Sequence, residues 1–268
     1  KQFDAAVDSY DKVIALMPDF AGAYFNRGLA LQVLKQFDAA VASYDRTIEL
    51  KPNLAEAYSN RGNALKDLKQ LEAAIASYDK AIFLKPDMAE AYYNRALSLH
   101  ELNNLEAAVA NYNKAIELKP DLAEAYYSRG LSLQELKQLD AAIASYDRAI
   151  EINPNNPAYY LNLGNALSEL RCFEECLESY DKAIELKSDY ASAYANRGHV
   201  LLSHLNDPAG ALVFFEVAIG LQPDFTEALI NQGQAYSQLE QFEKSINSFL
   251  KALEINPNAP FVIGKCLH

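Results

Sequence analysis

Between Ala55 and Lys85 the apolar residues recur with the pitch of an α-helix, twice in succession. Tyr58, Gly62, Leu65 and Leu68 fall three and four residues apart and line one face of a first helix. Leu71, Ala74, Ile75, Tyr78, Ala81 and Ile82 do the same for a second. The polar pair Lys69-Gln70 is the whole break between them, which predicts an antiparallel helical hairpin. Gly62 and Ala74 place small side chains where the helices cross, because larger ones would force the backbones apart. Tyr58 and Tyr78 fill the wider gaps. Pro86 lacks an N–H and clashes with the preceding turn, so it ends the second helix. Asp87 is placed to cap the next first helix.

The hairpin is repeated along the chain. Proline stands at Pro18, Pro52, Pro86, Pro120 and Pro154, a spacing of 34 residues, and the pattern resumes at Pro223 and Pro257 after one slip. Full copies run 21–54, 55–88, 89–122, 123–156, 157–190, 191–225 and 226–259; residues 1–20 supply a second helix only. Segment 260–268 reads as the start of a further helix or a linker to another domain. A unit this small cannot bury its apolar face alone, so neighbouring copies must stack, and one elongated domain is expected. The columns agree: Tyr24, Tyr58, Tyr92, Tyr126, Tyr160, Tyr194 and Leu229 at the fourth position, and Gly28, Gly62, Ala96, Gly130, Gly164, Gly198 and Gly233 at the eighth. Tyr44, Tyr78, Tyr112, Tyr146, Tyr180, Phe215 and Phe249 form a third column. Two irregularities stand out. One extra residue lengthens the turn His204 to Pro208, where Asp207 reads as an N-cap and Pro208 as the first helical position. Ser188 replaces a proline, so that joint lacks its usual stop and is where altered curvature is expected.

This pattern of aromatic, small, alanine, aromatic, alanine and proline resembles tetratricopeptide repeats. The resemblance implies an all-α fold, a right-handed α-solenoid superhelix of antiparallel helix pairs, with ligands bound on a concave wall made by the first helices. Of the positions that face such a groove, the sixth holds Asn26, Asn60, Asn94, Asn162, Asn196 and Asn231, with Ser128 interrupting. An Asn side chain donates and accepts, so it can pair with both the C=O and the N–H of a bound peptide whatever that peptide's side chains. Helices pack about 8–10 Å apart while an extended chain advances about 3.3 Å per residue, so successive amides would meet every third residue of an extended guest. The alternative is that each Asn makes a structural hydrogen bond within or between hairpins. Phe25, Tyr93 and Tyr127 at the fifth position suit a guest's apolar side chains or, equally, ordinary packing between successive first helices. Glu56, Glu90, Glu124 and Glu227, with Asp67, Glu101, Glu135 and Glu169, favour a neutral to basic guest, unless they form only a solvated face. Arg27, Arg61, Arg95, Arg129 and Arg197 are assigned to pairing with second-helix acids such as Asp45, Asp79, Asp147 and Asp181. The basic clamp by which some chaperone-binding members of the family grip a C-terminal carboxylate is missing.

Composition narrows the function further. Half of the 268 residues are hydrophobic, Gly and Pro number ten each, and the net charge is −12. Such acidity excludes nucleic acid and anionic membrane as expected partners, and no apolar run approaches a bilayer span. No cofactor, metal or catalytic residue is expected. Cys172 and Cys176 sit four apart on a helix, but Cys176 takes a small core slot; with Cys266 they make no disulfide framework and point to the cytoplasm. His100 and His199 face the groove singly and are expected to meet solvent or ligand. The chain opens on Lys1 in mid-pattern and reads as a fragment. Protein binding is thus the leading expectation. Two alternatives remain: the substrate-selecting arm of a glycosyltransferase, since the tail Pro260 to His268 resembles the junction in bacterial proteins similar to O-linked N-acetylglucosamine transferases, and a self-assembling homo-oligomeric scaffold.

Overall fold

The computed structural model describes residues 2–257, so Cys266 and the tail segment 260–268 lie outside the described residues. The described residues form fifteen α-helices and no strand, in two compact units divided after Lys137. The first unit holds α1 (Gln2–Leu16), α2 (Ala21–Val33), α3 (Phe37–Leu50), α4 (Ala55–Asp67), α5 (Leu71–Leu84), α6 (Ala89–Glu101), α7 (Leu105–Leu118) and α8 (Ala123–Glu135). The second holds α9 (Leu139–Ile152), α10 (Pro157–Glu169), α11 (Phe173–Leu186), α12 (Ala191–Ser203), α13 (Pro208–Leu221), α14 (Thr226–Gln238) and α15 (Phe242–Ile255). Within each unit every helix packs on its neighbours in sequence, and successive first helices touch as well: α2, α4, α6 and α8 in one, α10, α12 and α14 in the other. The all-α stack of helical hairpins is the expected fold class.

The core follows from the small and aromatic columns. Tyr44, Tyr78 and Tyr112 in the first unit, and Tyr146, Tyr180 and Phe215 in the second, are buried among alanines such as Ala40, Ala74, Ala142 and Ala211. Each such ring contributes roughly 1.5–3 kcal/mol through burial. A ring this large fits between two helices only where the facing residue is very small, glycine in most hairpins and alanine at Ala96. A Cβ on Gly62 would lie 2.6 Å from Tyr78 Cε1, and one on Gly164 the same distance from Tyr180 Cε1.

The hairpin turns carry a feature that the polar pair Lys69-Gln70 did not disclose. Lys35, Lys69, Asn103, Lys137, Arg171, Asn206 and Glu240 all have positive φ, in the left-handed region. In the α4–α5 turn, Lys69 N–H donates to the Lys66 carbonyl and Gln70 N–H to the Leu65 carbonyl, each at 2.9 Å. This is the Schellman arrangement, which satisfies the last carbonyls of a helix and usually has glycine at the left-handed position. Here a side chain sits there at a steric cost of about 1–2 kcal/mol.

Two expectations about helix ends are corrected and one is met. Asp87 does not cap α6, because Met88 is the N-cap and no side chain accepts from the first turn. Asp87 lies one residue too early, and its carbonyl accepts from Ala89 N–H in the tight turn. Nor does Ser188 remove a stop: α11 ends at Leu186 with Lys187 as C-cap, as α5 ends at Leu84 before Lys85. The helix therefore ends one residue before proline would act. The joint is looser, since α11 and α12 pack less closely than other successive helices of this unit. Asp207 does cap α13, accepting from Gly210 N–H at 2.8 Å, with Pro208 in the first turn.

Candidate functional site

In the first unit the helices α2, α4 and α6 bring Asn26, Asn60 and Asn94 to one register, followed on α8 by buried Ser128. Asn26 is exposed and the other two are half-buried. Among the described residues none of these three side chains has a hydrogen-bond partner in the fold. The second unit treats its amides differently. Asn162 Nδ2 donates to the Ala158 carbonyl at 2.9 Å, Asn196 Nδ2 donates to Asn165 Oδ1 at 2.8 Å, and Asn231 is buried. The same Asn165 Oδ1 also accepts from the Tyr180 hydroxyl, at 2.9 Å.

The aromatic neighbours of these amides rest on their own hairpins. Phe25 lies 6.0 Å from Tyr44 and Tyr93 lies 5.9 Å from Tyr112, both tilted, and both rings remain half-buried. Tyr127 is half-buried and engaged. Several acids of the same face are already paired. Glu101 meets Lys69 at 2.7 Å and Glu56 meets Lys85 at 3.3 Å. Backbone N–H bonding, with Lys85 adding to it, holds the Glu56 carboxyl below the usual carboxylate range. His100 is not the solvent contact its isolation in the sequence suggests: Nδ1 meets Ser132 Oγ at 2.8 Å and Nε2 lies 3.4 Å from Glu135. His199 sits edge-on to His204, their ring centres 6.0 Å apart.

The arginine column forms the most regular polar device of the fold. Arg61 Nε donates to Asp45 Oδ1 on α3 at 2.6 Å, while Nη1 donates to Ser77 Oγ on α5 at 2.8 Å. One guanidinium on a first helix therefore ties together the second helices before and after it. Arg27 repeats this with Asp11 and Ser43, and Arg95 with Asp79 and Asn111. Arg95 and Arg129 also lie over the rings of Tyr92 and Tyr126, at 5.4 and 5.3 Å. In the second unit Arg197 joins Asp181 at 2.6 Å. The acid pairing expected of these arginines is found for Arg27, Arg61, Arg95 and Arg197, with the preceding second helix as its acidic half, whereas Arg129 Nη1 donates to Asn113 Oδ1 at 2.8 Å and Asp147 is not among the paired acids.

Cys176 is wholly buried, and burial pushes its thiol up to about 11, as befits a core residue; Cys172 is half-buried. Among the described residues no group of three or more His, Cys, Asp and Glu is placed to hold a metal, and no helix is long and apolar enough to cross a membrane.

Stacked helical hairpins locked by inter-hairpin arginines define a helical repeat protein. The chain belongs to the tetratricopeptide repeat family: models described as TPR repeat match residues 1–35, 34–69, 62–103 and 97–137, and models described as Tetratricopeptide repeat match 123–156, 226–259 and 145–178. Among solved structures it is similar to YrrB, described as a TPR protein with an unusual peptide-binding site, at 25% identity and TM-score 0.62, over 71% of this chain and 98% of that one. It is similar to MamA at 28% identity and TM-score 0.59, over 61% of this chain and 96% of that one. The C-terminal part of a TPR repeat-containing protein from Cytophaga hutchinsonii shares the fold at 17% identity and TM-score 0.73, over 86% of this chain and 94% of that one. No curated protein matched.

Proposed function

We propose that the chain is a non-catalytic interaction module that holds an extended polypeptide across α2, α4 and α6, with the amides of Asn26, Asn60 and Asn94 pairing to the guest's main chain. The observation that carries this reading is their shared register and lack of any partner within the fold, since an unpaired amide, half-buried at Asn60 and Asn94, gains most from a peptide unit that both donates and accepts. Phe25 and Tyr93 beside them offer apolar contact. Exposed Glu90 and the net charge of −12 favour a neutral to basic guest. The likeness to YrrB, whose description names a peptide-binding site, supports the same class of guest. In the second unit Asn162, Asn196 and Asn231 have a lesser part, being engaged or buried.

A peptide array should yield extended binders. Against the best of them, Asn26→Ala, Asn60→Ala and Asn94→Ala together are expected to weaken capture at least tenfold with helicity and unfolding midpoint unchanged. Unaltered capture, or a collapse of the midpoint, would refute the assignment.

A further inference from the structure

The arginine column has one apolar interruption. Leu163 on α10 stands where α2, α4, α6 and α8 carry Arg27, Arg61, Arg95 and Arg129, each 34 residues from the next. The groups that hold a guanidinium elsewhere are nevertheless all in place. Asp147 on α9 corresponds to Asp45 and Asp79, Ser179 on α11 to Ser43 and Ser77, and Tyr160 to Tyr92 and Tyr126, the rings beneath Arg95 and Arg129. All three line an open cleft of about 390 Å³, together with Leu163.

The cleft has the marks of a cradle whose cation is missing. Asp147 has no ion-pair or hydrogen-bond partner among the described residues, and partial burial raises its carboxyl above the usual carboxylate range. Ser179 is more than nine-tenths buried and donates to the Glu175 carbonyl at 2.8 Å. Ser43 and Ser77 donate to their own helices in the same way, to Ala39 and Ala73, while each accepts from an arginine. Ser179 thus keeps its acceptor lone pairs for a donor from outside. The wall has also become more acidic. Glu175 and Glu178 line the cleft where the preceding second helices carry Ala39 and Ala42, Ala73 and Ala76, Ala107 and Ala110, and Ala141 and Ala144. Lys182 also lines it, but its ammonium is held by Glu185 at 2.8 Å. This one place has lost a cation, gained two carboxylates and kept a hydrogen-bonding fork.

We propose that the cleft between α9, α10 and α11 is a binding site for an arginine side chain of a partner polypeptide, whose guanidinium pairs with Asp147, donates to Ser179 and stacks on Tyr160. The planar fork and five donors of arginine suit this set, whereas an ammonium ion satisfies only the charge. Glu175 and Glu178 disfavour a free amino acid, whose α-carboxylate they repel, and favour arginine within a chain. This site does not rest on the amide register of α2, α4 and α6, and stands or falls separately.

The test uses the full chain titrated with N-acetyl-arginine amide, followed by amide NMR shifts. The expected result is saturable binding, on the order of millimolar for a single residue, with shifts confined to α9–α11. Binding should fall at least tenfold for N-acetyl-lysine amide and for the neutral isostere N-acetyl-citrulline amide, and free L-arginine should bind more weakly than the capped form. Leu163→Arg restores the residue that five other hairpins carry, so it should fold, raise the unfolding midpoint and abolish binding. Asp147→Asn should weaken binding at least tenfold. Absence of saturable shifts in the parent, equal response to the lysine probe, or full binding by Leu163→Arg would each overturn the proposal.

Discussion

Gly62→Ala adds one methyl group at the crossing of α4 and α5, where it would sit 2.6, 2.8 and 2.9 Å from Cε1, Cδ1 and Cζ of Tyr78. Carbon atoms settle at about 3.5–4.0 Å, so the ring must move. It has little freedom to do so. Tyr78 is wholly buried, and its hydroxyl is tied to Asn63 Oδ1 at 2.8 Å. The protein contains its own control in α6, where Ala96 already faces the buried ring of Tyr112. Leu97 there replaces the asparagine, and the Tyr112 hydroxyl is buried with no hydrogen-bond partner. The methyl is accommodated where no hydrogen bond pins the ring. Overpacking at Gly62 costs roughly 1–3 kcal/mol and the strained hydroxyl contact about 1 more, while alanine returns about 1 through helix propensity. The net expectation is a loss of roughly 1–3 kcal/mol. A repeat array need not unfold in one step, so urea denaturation followed by circular dichroism should be joined to native-state hydrogen exchange of the α5 amides. Stability equal to or above that of the parent would refute the account of this crossing.

The two buried tyrosines separate a useful hydroxyl from a costly one. Tyr78→Phe removes the bond to Asn63 and should cost about 1 kcal/mol, whereas Tyr112→Phe removes an unpartnered hydroxyl and should leave stability unchanged or raise it by up to about 1 kcal/mol; equal losses in urea would refute this. Lys69→Gly relieves the left-handed turn residue, a gain of about 1–2 kcal/mol against about 0.5–1 of added unfolded-state entropy. Its urea midpoint should rise, and a fall would show that the Lys69 side chain, which reaches Glu101, matters more than the backbone.

The hairpin architecture was legible because the packing constraint at each crossing repeats. Gly62 and Tyr78 must be small and large together, and that pairing recurs in column after column. What stayed hidden was geometry that no residue type announces. Lys35, Lys69 and Asn103 look like ordinary polar linker residues, yet each adopts a conformation that favours glycine, because the Schellman bonds of the preceding turn demand it. Asp87 failed as a cap for the converse reason. It has the right chemistry, but the turn sets the helix one residue later, beyond reach of its carboxylate.

The binding surfaces were legible to different degrees, and the difference is instructive. The asparagine register was visible as identity along a column, but identity says nothing of partners: Asn60 and Asn196 share a position, and only Asn196 has Asn165 within reach. The arginine cradle shows the opposite logic. Its signal lies in the break, since the series Arg27, Arg61, Arg95, Arg129 skips Leu163 before Arg197. A gap in a column reads as lost function until the neighbouring helices are placed. Once Arg61 is seen gripping Asp45 and Ser77, retained Asp147 and Ser179 around Leu163 describe a hole with the shape and charge of what is missing. In a repeat protein each regular copy thus measures the binding potential of an irregular one, because it shows which groups the fold sets around a position and which of them the irregular copy leaves unfilled.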